Sequence, residues 1–160
     1  MKYISGIIAI LLLSVFAACE DETKTCDQTL IADLGINFKK DTLDGFLVKD
    51  TAWPKVTLMA LNKDTILSNA LRSSVFVSLS PLSDTSSFYL KLDSTKVADT
   101  LTFLYTRKPN FVSAGCGFAT FFTLDTVIST HHTIDSIHIN NKEVNSSNDT
   151  HLSLFFIFPY

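Results

Sequence analysis

Residues 30–38 read Leu30-Ile31-Ala32-Asp33-Leu34-Gly35-Ile36-Asn37-Phe38, and Leu30, Ala32, Leu34, Ile36 and Phe38 place an apolar side chain at every second position. A period of two puts all five on one face of an extended chain. The same alternation returns at Val56, Leu58 and Ala60; at Val75, Val77 and Leu79; at Phe88, Leu90 and Leu92; and at Leu101, Phe103 and Tyr105. It continues through Phe118, Thr120, Phe122 and Leu124, through Ile137 and Ile139, with Ile134 ahead of them in the same strand, and through Leu152, Leu154, Phe156 and Phe158. Phe46 to Val48 reads as a short edge piece, Trp53-Pro54 as a break, and Ile66-Leu67 as a further short strand. Polar clusters at Lys39 to Asp44, Asn62-Lys63-Asp64, Lys108-Pro109-Asn110 and Asn145 to Asp149 read as turns. No segment carries apolar residues at three-and-four spacing between caps, so no helix longer than a turn is expected. The pattern predicts an all-β domain, an antiparallel β-sandwich with immunoglobulin-like or Greek-key connections and about eight short strands. A closed barrel is the structural alternative. Thirteen phenylalanines are enough to fill a core between two sheets.

Upstream of this body the chain changes character. Lys2 supplies a positive start, Ile7 to Phe16 an apolar run, and Ala17-Ala18 small residues directly before Cys19. About ten apolar residues are too few to cross a bilayer as a helix. The arrangement predicts a cleaved lipoprotein signal peptide over 1–18, with Cys19 acylated as the new N-terminus; a plain signal peptide with a coincidental cysteine is the competing reading. Glu20, Asp21 and Glu22 follow, making 19–29 an acidic tether ahead of a single β-sandwich domain over 30–160. The acidic run resembles the signal that sends lipoproteins of the Bacteroidetes type to the cell surface. The expected place is therefore the outer membrane, held by lipid and facing outward in preference to the periplasm, with the bilayer as partner through Cys19.

Beyond Cys19 the chain has two cysteines, Cys26 and Cys116, and outside the reducing cytosol two such thiols are expected to pair. The competing reading makes Cys116, flanked by Gly115 and Gly117, a nucleophile. A net charge of −3 with no cluster of Lys and Arg speaks against nucleic acid. His131 and His132 point to opposite faces of any strand and could share a metal only in a loop, while a turn over Asn145 to Asp149 could bring His138 near His151. No third ligand stands at ligand spacing, so no metal or cofactor is expected. The nucleophile elbow, the H-E-x-x-H pair, the phosphate loop and the dinucleotide fingerprint are all missing, and the reading is non-catalytic. Leu152 to Tyr160 resembles the terminal strand of outer-membrane barrels, but most strands here are short for spanning.

Asp followed by Ser or Thr and then an aliphatic residue or Thr recurs at Asp41-Thr42-Leu43, Asp50-Thr51-Ala52, Asp64-Thr65-Ile66, Asp93-Ser94-Thr95, Asp99-Thr100-Leu101, Asp125-Thr126-Val127 and Asp135-Ser136-Ile137. Turn-to-strand junctions generate this triplet on their own. It also resembles the O-glycosylation acceptor of exported Bacteroidetes-type proteins, which would make Thr42, Thr51, Thr65, Thr100 and Thr126 candidate glycan sites. Asn145 and Asn148 fit the N-glycosylation sequon, a coincidence in a bacterial lipoprotein.

Phe111-Val112-Ser113-Ala114-Gly115-Cys116-Gly117-Phe118 resembles the F-V-S-x-x-C-G-F segment of a family of small Bacteroidetes-type lipoproteins. Cys26, Val77 to Leu82, Asp99 to Tyr105 and Ile134 to Ile137 extend the likeness. That family carries no assigned activity and so implies no catalytic residue; it does imply the same pairing of Cys26 with Cys116. The resulting expectation is a membrane-anchored cell-envelope lipoprotein, a non-catalytic binding or structural accessory module. The alternative is a surface glycan-binding or adhesion module, for which an exposed Trp53 or Tyr89 would be the stacking platform.

Overall fold

The computed structural model describes residues 26, 30–42, 47–61, 65–93 and 96–156. The leader, Cys19, most of the tether, Phe46 and Phe158 lie outside them. The described residues form eleven strands: β1 (Asp33–Thr42), β2 (Leu47–Asp50), β3 (Trp53–Ala60), β4 (Thr65–Arg72), β5 (Ser74–Ser78), β6 (Thr85–Lys91), β7 (Asp99–Ser113), β8 (Gly117–Ser129), β9 (Ile134–Ile139), β10 (Glu143–Val144) and β11 (Thr150–Phe156). No helix occurs among the described residues. One sheet runs β2-β1-β11-β9, with β5 also paired to β1; the other runs β10-β8-β7-β6-β3-β4. The two pack face to face as the expected sandwich.

The period-two residues are what the sheets enclose. Leu34, Ile36 and Phe38 of β1, Leu101, Phe103 and Tyr105 of β7, and Leu152, Leu154 and Phe156 of β11 are all fully buried in one core. Aromatic rings meet edge to face there: Phe38 with Phe156 at 6.0 Å, Phe88 with Phe103 at 5.7 Å, and Tyr105 with Phe122 at 5.2 Å between centroids. Such pairs add about 0.5–1.5 kcal/mol each beyond the area they bury.

Four expectations need correction. Lys39 to Thr42 are not turn residues: they end β1 and pair with β2. Among the described residues the strand count is higher than eight, in part because a piece as short as the two-residue β10 completes a sheet edge without an apolar stripe that alternation could register. Lys108-Pro109-Asn110 is not a turn: all three lie inside β7, and the hairpin turns instead between Ser113 and Gly117. Proline is tolerated because β6 pairs only Asp99 to Leu104, which leaves that side of β7 without a ladder at Pro109. Phe118 has the inward parity of Phe122 and Leu124, yet it is exposed, since the β7–β8 hairpin continues past the enclosed core.

The sandwich is closed by an element that alternation could not foretell, a parallel pairing of β1 with β11. β1 lies alongside β11 from Gly35 opposite Thr150 to Lys40 opposite Phe156. Gly35 faces Thr150 while Ile36 already faces Leu152, so His151 is an extra residue, a bulge that interrupts the ladder. Its side chain repairs the gap. The Gly35 amide donates to His151 Nδ1 at 3.0 Å, replacing the carbonyl that the bulge withdraws. Glycine is required at 35 for approach, because a Cβ there would run into the Asp149 carbonyl oxygen and meet the Phe76 ring at 3.0 Å.

His151 is 0% exposed, and burial lowers its pKa, against the smaller opposing pull of the Glu143 backbone and the Asp149 charge. Accepting from Gly35 also requires a bare Nδ1. A folded pKa below the unfolded value of about 6.5 means that the unfolded chain takes up the proton first, so stability is complete above that pH and declines below it. Denaturant titrations from pH 8 downward are expected to show this decline, and His151→Gln, whose amide oxygen can still accept, should flatten it. Gly35→Ala is expected to lower the unfolding free energy by about 1–3 kcal/mol in the same assay, the usual cost of overpacking.

Candidate functional site

Polar side chains converge most densely where β7 begins. Asp99, 1% exposed, receives five hydrogen bonds from the turn between β8 and β9. The His132 amide donates to Oδ1 at 2.6 Å and the Thr130 hydroxyl at 2.9 Å; the Thr133 amide, the Thr133 hydroxyl and the Ile134 amide reach Oδ2 at 2.8, 2.5 and 3.1 Å. Burial pushes the carboxyl pKa up, but the Thr133 hydroxyl, the two amides of His132 and Thr133 and the Thr130 hydroxyl outweigh it and hold the group below its usual value. A carboxylate with its lone pairs this fully occupied organises a turn and has little left to offer a substrate.

The histidines follow the same logic. His132 Nδ1 donates to the Ala98 carbonyl at 3.1 Å and stands 3.5 Å from Asp99 Oδ1, and His131, at φ 55°, donates from Nδ1 to the Ile134 carbonyl at 3.0 Å. Both lie in the turn, as a shared metal would need, yet both tie down backbone. His138 donates to Asn140 Oδ1 at 3.0 Å on the exposed side of β9. Its strand partner is Ser153, not His151, which sits in the β11 bulge, so the proposed histidine pair is not assembled. Among the described residues no group of three His, Cys, Asp or Glu could hold a metal ion.

A second convergence pins the loop after β5. The Tyr105 hydroxyl donates to the Ser80 carbonyl at 3.1 Å, accepts from the Ser80 amide at 3.0 Å and lies 2.7 Å from the Ser86 hydroxyl. Beside it a shallow open groove of about 370 Å³ is lined by Pro81, Asp84, Thr106, Arg107, Pro109 and Thr120. Arg107 Nε donates to Asp84 at 2.6 Å and Nη1 to the Pro81 carbonyl at 3.1 Å, so the cation there is already engaged.

Cys26 and Cys116 form a disulfide with Cα atoms 4.7 Å apart, across ninety positions of sequence. Cys116 is therefore not a free nucleophile. Its amide donates to both the carbonyl and the hydroxyl of Ser113, at 3.3 and 3.1 Å, which shapes the turn of the β7–β8 hairpin. Among the aromatics proposed as platforms, Trp53 is half-buried at the start of β3, 5.8 Å from the Phe156 ring and packed on the core, and Tyr89 is half-buried on β6. Of the candidate glycan sites, Thr65 and Thr126 are exposed and Thr51 and Thr100 half-buried, while the Thr42 side chain lies outside the described residues.

Periodicity reasoning missed Asp99, Tyr105 and His151 as polar anchors. Asp99 carried a signal in the run Thr130-His131-His132-Thr133, dense in donors, but nothing in the sequence pairs that run with a carboxylate thirty positions earlier.

A family model described as a family of unknown function (DUF6452) matches residues 55–156. No curated protein and no solved structure matches the chain.

Asp99→Asn turns an acceptor oxygen into a donor facing other donors, and is expected to lower the unfolding free energy by about 2–4 kcal/mol and to speed amide exchange at His132 to Ile134. Because the Asp99 pKa is depressed, its contribution is present above the unfolded value of about 3.9 and lost as pH falls through the folded value, an acid limb separate from that of His151. Replacing Cys26 and Cys116 together by Ser is expected to cost about 2–4 kcal/mol by the same denaturant measurement.

Proposed function

The chain belongs to this family of unknown function, and from that premise we propose that it is a lipid-anchored cell-envelope protein, a non-catalytic binding or structural accessory module. Cys19 carries the acyl groups, residues 1–18 are removed, and the sandwich stands at the outer membrane, facing outward. The observation that carries the reading is the Cys26–Cys116 disulfide. Such a bond persists in oxidising compartments, which agrees with an export leader, and it engages Cys116, the cysteine of the F-V-S-x-x-C-G-F segment, as a brace. The occupied lone pairs of Asp99 and the backbone-bound histidines favour a framework over a reaction centre.

A glycan-binding role is the weaker reading, because Trp53 packs toward the core where a sugar platform would need an open indole face. Glycans carried by the protein itself are better placed at Thr65 and Thr126, which are exposed.

Growth of the native cells with a clickable palmitate analogue is the direct test. The wild-type chain is expected to take the label and sediment with outer membranes, and Cys19→Ser to lose both. An unlabelled wild-type chain in the soluble fraction would refute the anchor. Intact mass of the native protein, compared with that of Thr65→Ala and Thr126→Ala, reads the glycans.

A further inference from the structure

The β7–β8 hairpin ends in an apolar tip that the sandwich does not use. Phe111 and Phe118 face each other across the two strands, their centroids 5.4 Å apart, and are 59% and 70% exposed. The inner-face parity of β7 and β8 carries both rings past the opposing sheet, so nothing in the described body covers them. Each ring is among the most costly side chains to leave in water.

What lies opposite this tip follows from the chain that leads to it. Cys116 sits in the turn between the two phenylalanines and is bonded to Cys26. Cys26 follows Cys19 by seven Cα steps, which span at most about 25 Å when fully extended. β7 alone is fifteen residues long, or about 50 Å, so the end of the sandwich that holds Asp99 is out of reach of so short a tether. Whatever path the tether takes, an acyl chain on Cys19 stays within about 25 Å of Cys26, on the side of the body that carries Phe111 and Phe118 and not on that of Asp99.

We propose that the Phe111–Phe118 tip of the β7–β8 hairpin is a membrane-contact site that rests in the lipid interface beside the acylated Cys19. This inference rests on the lipid-anchor reading above. The disulfide then has a geometric role: it fastens the tether to the one hairpin that carries the aromatic pair, so that the lipid holds the body upright by one end. The Asp99 turn and the β8–β9 connection are directed away from the bilayer, where a partner can reach them.

The test uses the mature chain, 19–160, with the Cys26–Cys116 disulfide formed, which leaves Cys19 as the free thiol for coupling to a maleimide lipid in phosphatidylcholine vesicles. Tryptophan is introduced in turn at the tip, Phe118→Trp, and at the far end, Val97→Trp, where Val97 is already exposed. With brominated acyl chains the added emission of Phe118→Trp is expected to be quenched several-fold more strongly than that of Val97→Trp, over the common Trp53 background. Equal quenching of the two would overturn the tip while leaving the anchor intact. Lipid-free dimers abolished by Phe111→Ser with Phe118→Ser would also overturn it, since a second copy would then be the occupant. Failure of the palmitate label in cells would overturn the anchor and the inference with it.

Discussion

The structure depends on the parallel pairing of β1 with β11. These are the inner strands of their sheet; β2 and β5 hang from the free side of β1, and β9 from the free side of β11. Leu34, Ile36 and Phe38 reach the core from one, Leu152, Leu154 and Phe156 from the other, so a single ladder joins the two stripes into half of the hydrophobic interior. The ladder holds despite an extra residue because the extra residue is a histidine with a neutral nitrogen to offer. Gly35 and His151 are therefore one device: the missing side chain admits the Asp149 carbonyl, and the imidazole takes the amide hydrogen left over.

Much of this was legible in the chain. The alternating stripes at Leu101 to Tyr105 and Leu152 to Phe156 named their inward residues correctly because burial on one face imposes a period of two whatever the partner strand. Pairing partners, by contrast, are not written in a stripe. The parallel approach of residues 35–40 to 150–156 needs information about two distant segments at once, and so does the capture of the β8–β9 turn by Asp99. Pro109 misled for a related reason. Its ring forbids one hydrogen bond, and whether that excludes a strand depends on a neighbour, β6, that stops five residues short of it.

The site level was less readable still. The two cysteines were paired by counting, and the structure agrees. The Asp-Thr triplets carried two meanings at once, and Asp99-Thr100-Leu101 illustrates the structural one: the aspartate is consumed by backbone amides at the start of a strand. Phe118 shares the stripe of Phe122 and Leu124 and is nevertheless exposed, since alternation reports which face a residue is on and not how far the opposing sheet extends.

The parallel join of opening and closing strands also sets an order of events. Residues 35–40 must wait, as an unmatched edge, for residues 150–156 to be made. Non-local pairing of this kind slows folding, and until the final segment arrives β1 offers apolar side chains and bare amides to any other chain nearby. A polypeptide cut short before Thr150 would keep every piece of the second sheet and still lack the strand against which its beginning must lie.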